Sequence, residues 1–89
     1  MPYKIVLVKS AVKELESLSP KTHDRIVEHL RQLEANPRMF GAEKLTAREA
    51  YKLRVGSYRV IYEINDSQQE VKVLMVEDRR QVYKRLKRR

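Results

Sequence analysis

The 89-residue sequence contains no cysteine. That excludes a disulfide framework and a thiolate metal site, and leaves a small domain to stabilise itself by packing or through a partner. Long apolar runs are missing as well. The opening stretch Met1-Pro2-Tyr3-Lys4-Ile5-Val6-Leu7-Val8-Lys9 meets lysine too soon for a secretory core, and nothing later approaches the roughly 20 apolar residues of a membrane span. A soluble, cytoplasmic protein is expected. Histidine occurs only at His23 and His29, which do not share a helical face and have no cysteine or carboxylate at ligand spacing, so no metal or cofactor is expected. Internal repeats, low-complexity tracts and linkers are absent, and residues 1–89 read as a single domain.

Charge of one sign is missing from one end. The formal net charge is +8, yet residues 1–78 hold thirteen Lys and Arg against twelve Asp and Glu, whereas residues 79–89 hold seven Lys and Arg and no acid. A basic block of this kind points to a polyanion or an acidic partner. The plainer reading is a solvated tail.

A second basic group sits within predicted structure. In Tyr51-Lys52-Leu53-Arg54-Val55-Gly56-Ser57-Tyr58-Arg59-Val60-Ile61-Tyr62, the pair Gly56-Ser57 suits a two-residue hairpin turn flanked by alternating β-branched and aromatic residues. Pairing outward from the turn sets Val55 against Tyr58, Arg54 against Arg59, Leu53 against Val60 and Lys52 against Ile61. Lys52, Arg54 and Arg59 then share one face, and Leu53, Val55, Tyr58, Val60 and Tyr62 the other. Like charges directly opposite cost a sheet roughly 0.2–1 kcal/mol. An anion is therefore expected at this face.

Around the hairpin, Tyr3–Val8 reads as a strand with apolar residues on both faces. Ser10 is placed to cap a short helix carrying Val12, Leu15 and Leu18, and Ser19-Pro20 opens a second helix whose buried stripe is Ile26, Leu30 and Leu33, with Val27 beside it. Asn36-Pro37 stops it. From Arg38 to Ala50 no period is sustained, and irregular structure pinned by Phe40 and Leu45 is expected. Asn65–Gln69 forms a looser turn before a last strand, Glu70–Glu77. There Val71, Val73 and Met75 alternate with Lys72, Leu74 and Val76, placing the strand inside the sheet. The fold class is α+β: a mostly antiparallel four-stranded sheet in the order β-α-α-β-β-β, a helical hairpin on one face, and a basic C-terminal helix or arm.

This order, with the hairpin phrase followed by Val76-Glu77-Asp78-Arg79-Arg80-Gln81-Val82-Tyr83, resembles the RelE toxins of the RelE/ParE superfamily over essentially the whole chain. The resemblance implies the toxin of a type II toxin–antitoxin system, cleaving messenger RNA in the ribosomal A site and restrained by a cognate antitoxin. It carries a catalytic role onto Lys52, Arg54, Arg59, Arg79 and Tyr83, and makes Arg80, Lys84, Arg85 and Lys87 of the tail RNA contacts. The chain departs from relatives that read Gly-His-Arg-Arg-x-Val-Tyr: Asp78 stands where they carry histidine, which weighs against an imidazole mechanism.

Cleaving RNA requires activating a 2′-hydroxyl, stabilising charge on the phosphoryl oxygens and protonating the departing 5′-oxygen. Crowding by Arg54 and Arg59 suits Lys52 to the general-base role. The planar guanidinium forks suit Arg59 and Arg79 to charge stabilisation and Arg54 to that or the leaving group, while Tyr83 can stack on a base or orient the hydroxyl. The plainer readings are cations that keep a sheet face soluble, and an ion-pair network in which Glu63 takes part. Tyr51, Tyr58 and Tyr62 fall on the apolar face as core aromatics. The rival function is a ParE-like inhibitor of DNA gyrase without nuclease activity; a catalytically inactive RNA-binding relative is a third. The antitoxin is expected to be acidic or amphipathic, partly disordered when free, and to form a hetero-oligomer with the chain.

Overall fold

Residues 2–45 and 49–78 are described in the computed structural model. They run as β1 (Lys4–Leu7), α1 (Lys9–Glu16), α2 (Pro20–Ala35), β2 (Ala42–Lys44), β3 (Ala50–Val55), β4 (Tyr58–Asn65) and β5 (Glu70–Asp78). The class is α+β, with five strands rather than four, in the order β1-β5-β4-β3-β2. β1 pairs in parallel with β5, and every other pair is antiparallel. The parallel pair follows from the connection: the two helices carry the chain across the sheet before β2 begins. β5 lies between β1 and β4, the interior position expected for a strand with apolar residues on both faces.

The segment expected to be irregular contains β2. Three residues, Ala42, Glu43 and Lys44, have no sequence period of their own and become a strand by pairing with Leu53, Lys52 and Tyr51. Phe40 is not a plug: it is fully exposed, and Met39 packs against the core instead. Leu45 is half-buried.

Both helices cover one face of the sheet. In α2 the stripe Ile26, Leu30 and Leu33 is buried, with Val27 packed at its edge. Ser19 stands at the N-cap position ahead of Pro20 but makes no side-chain capping bond, its hydroxyl donating instead to Thr22 Oγ1 at 3.1 Å, and the backbone of Asn36 is extended before Pro37. α1 departs from expectation in phase. Val8 is its N-cap, Ser10 lies inside the first turn, and the buried residues are Ala11 and Leu15, while Val12 is exposed. The core joins these helix residues to Leu53, Val55, Val60, Tyr62, Ile64, Val71, Val73 and Val76. Tyr51 and Tyr62 stack with centroids 5.8 Å apart, and the buried Tyr62 hydroxyl donates to the Pro37 carbonyl at 2.7 Å. Burial pushes the Tyr62 phenol up to about 12.

One irregularity in β5 decides what faces the open side. Tyr62 pairs with Val73 but Ile61 pairs with Met75, so Leu74 is an extra residue in the ladder. The simple alternation expected for this strand fails there. Val71 and Val73 point into the core, and after the bulge it is Val76 that returns to it, opposite Val60, while Met75 is 47% exposed.

Candidate active site

The open sheet face is built from two ladder rows. In one, Arg54 pairs with Arg59 and Arg59 with Glu77; in the other, Glu43 pairs with Lys52, Lys52 with Ile61 and Ile61 with Met75. Directly paired residues share a face, so Lys52, Arg54 and Arg59 are brought together as the hairpin register requires. Gly56 has φ +61, the left-handed value that the first position of a Gly-first two-residue turn demands. The Nη1 of Arg25, from α2, lies 3.2 Å from where a Cβ at Gly56 would stand. Any larger residue at the turn meets both constraints.

Opposite the arginines the chain supplies a carboxylate of its own. Arg59 Nη2 donates to Glu77 Oε2 at 3.0 Å, and the two side chains are only 31% and 17% exposed. Arg59 Nε is buried without a partner. Lys52 Nζ lies 3.4 Å from Glu43 Oε2, so the crowding expected for this lysine is offset by a carboxylate of its own. Arg54 is exposed and makes no ion pair among the described residues. Glu63, the carboxylate expected to neutralise part of this face, pairs in the ladder with Ala50 and Lys72, in the next same-face row beyond the lysine row. Neither Glu43 nor Glu77 was singled out in the sequence. Glu43 lies on a strand with no signature, and Glu77 reaches this face only because of the bulge at Leu74. Arg79, Arg80, Tyr83, Lys84, Arg85 and Lys87 lie outside the described residues. Among the described residues, no group of three or more His, Cys, Asp or Glu could hold a metal ion.

At the opposite end of the sheet a second polar network ties the elements together. Arg38 donates through Nη1 and Nη2 to both carboxylate oxygens of Asp66 (3.1 and 2.9 Å), through Nε to the Tyr51 hydroxyl (3.0 Å), and through Nη2 to Glu49 (3.3 Å). The Tyr3 hydroxyl donates to Asp66 Oδ1 at 2.7 Å, and Lys44 to Glu49 at 3.1 Å. The guanidinium also lies over the Tyr51 ring, 5.6 Å from its centroid. Hydrogen bonds from Arg38 and then from Tyr3 pull the Asp66 carboxyl down to about 2, and those from Lys44 and Arg38 lower Glu49. Accepting the bond from Tyr3, Asp66 in turn raises the Tyr3 phenol. This cluster joins residues from five separate segments and gives no local signal in the sequence.

A pH dependence follows. The folded pKa of Asp66 lies below its ordinary value of 3.8, so its contribution to stability is complete above about pH 5 and fades as pH falls towards 2. Urea midpoints of Asp66→Asn should fall below those of the unmodified protein at pH 7 and converge with them near pH 2. A constant difference across that range would show that the Arg38 pairing is not its source.

The sequence profile of the family described as "ParE toxin of type II toxin-antitoxin system, parDE" matches residues 5–83. Among solved structures, the chain is similar to the archaeal RelE–RelB complex from Pyrococcus horikoshii OT3, at 30% identity and TM-score 0.78, over 89% of this chain and 97% of that one. It is also similar to the toxin–antitoxin complex RelBE2 from Mycobacterium tuberculosis, at 27% identity and TM-score 0.78, covering 89% and 100% of the two chains. The intact Escherichia coli RelBE complex shares the fold at 23% identity and TM-score 0.77, covering 85% and 95%. A search of curated protein sequences returned no match. With the profile matched over residues 5–83 and the fold shared with these complexes, the chain belongs to the RelE/ParE superfamily as a RelE-like toxin of a type II toxin–antitoxin system.

Proposed function

We propose that this toxin is an endoribonuclease that cleaves messenger RNA in the ribosomal A site and so stops translation in the cytoplasm. The observation that supports this reading is the convergence of Lys52, Arg54 and Arg59 on one open sheet face, in a register that sets two arginines opposite each other. Their roles are divided by chemistry. Lys52, in its neutral amine form, takes the proton from the 2′-hydroxyl as that oxygen attacks phosphorus. Arg59 stabilises the charge that grows on the phosphoryl oxygens. Arg54 hydrogen-bonds the departing 5′-oxygen as the bond from phosphorus to it breaks, leaving a cyclic 2′,3′-phosphate and a 5′-hydroxyl that takes its proton from water. Arg79 and Tyr83 complete the proposed catalytic set, one for charge and one for base stacking or hydroxyl orientation, with Arg80, Lys84, Arg85 and Lys87 as phosphate contacts. A site whose parts are all cationic or phenolic gains from a substrate held rigidly from outside, which the ribosome supplies.

The similar complexes from P. horikoshii and M. tuberculosis each pair a RelE-type toxin with its antitoxin. A cognate antitoxin, acidic or amphipathic and wrapped around the basic surface, is proposed here too. The matching family profile is that of ParE toxins, which supports a second reading: a gyrase inhibitor without nuclease chemistry. Two assays on the purified chain separate them. Programmed ribosomes should yield message cut within the A-site codon, and gyrase supercoiling should be unaffected. Intact message together with blocked supercoiling would reverse the assignment.

A further inference from the structure

We propose that Glu77 makes the site selective for RNA presented by a larger assembly over free RNA, by occupying Arg59 until a phosphate displaces it; the proposal deepens the nuclease reading and rests on it. A carboxylate and a phosphodiester seek the same guanidinium donors, and both gain from a charge-assisted hydrogen bond there. Glu77 is placed to compete by the ladder itself: it lies directly across from Arg59, with Oε2 at 3.0 Å. The bulge at Leu74 secures this, since an unbroken ladder would set Val76 opposite Arg59 and leave that arginine facing only Arg54.

Exposure separates this pair from the Glu43–Lys52 pair on the same face. Glu43 is 72% exposed and 3.4 Å from Lys52, so water and salt release it readily, whereas Glu77 is 17% exposed and held closer. An RNA in dilute solution must displace Glu77 with no help. An RNA already fixed beside the toxin competes at the high effective concentration of an intramolecular partner. The same displacement cost therefore leaves the first substrate largely unbound at concentrations where the second still fills the site.

The test measures binding apart from cleavage. A single-stranded RNA with 2′-O-methyl groups throughout has no nucleophile, so its affinity is readable whether or not the chain is a nuclease. Glu77→Gln keeps the shape and removes the charge, and should bind this probe on the order of tenfold more tightly at physiological salt. Glu77→Thr, which suits a strand, must move in the same direction. Asp24→Asn removes an 82% exposed acid on α2 and should change affinity by less than about twofold. Unchanged or weaker binding in both Glu77 variants overturns the proposal, and so does an equal gain in Asp24→Asn, which would reveal net charge alone. Failure of the nuclease reading shows separately, as uncut message on programmed ribosomes.

Discussion

Arg59→Ala should lower message cleavage on programmed ribosomes by about 10²–10³-fold, the usual consequence of removing one donor aimed at developing negative charge. The arginine is the centre of its row, with Arg54 on one side and Glu77 on the other, and no other described cation pairs across both neighbouring strands at that level. The fold should survive. The lost ion pair is largely buried and worth about 1.5–3 kcal/mol as a charge-assisted hydrogen bond, partly offset because Arg54 loses a like charge directly across the sheet. Matched circular dichroism and a cooperative urea transition in both proteins, with cleavage lost only in the variant, would confirm the role. Cleavage within about threefold of the unmodified toxin would remove Arg59 from the chemistry.

Leu33→Ala should cost about 2–5 kcal/mol, since Leu33 is fully buried on α2 and truncation adds a cavity to the lost transfer energy. Small domains hold only about 5–15 kcal/mol in all. This single change is therefore expected to take a large share of the stability and to shift the urea midpoint without changing the slope. The site should be untouched in whatever fraction stays folded. A loss below about 1 kcal/mol would mean that the helical hairpin is held to the sheet by something other than this stripe.

How far the fold was legible depended on how many arrangements each segment allowed. The hairpin allowed one: Gly56 is the natural first turn residue, and any slip would have put three cations into the core. The α2 stripe was equally constrained by Ser19-Pro20 at one end and Asn36-Pro37 at the other. α1 allowed two phases, because Leu15 pairs helically with Ala11 or with Val12, and the smaller residue turned out to be inside. Val73–Val76 is apolar at every position, so a one-residue bulge leaves no mark in the sequence. That hidden bulge is why the cations of the site could be named but Glu77 could not. β2 exists only through its pairing with β3, and the Arg38 network only through partners drawn from across the chain. Phe40 misled because hydrophobicity alone does not place a side chain inside.

The most direct test of the central claim is to map the 5′ ends of cellular transcripts within minutes of inducing the toxin, with Arg59→Ala induced in parallel. The nuclease account predicts new ends inside coding regions, in register with codons, that the variant does not produce. Intact transcripts accompanied by a DNA-damage response would contradict it.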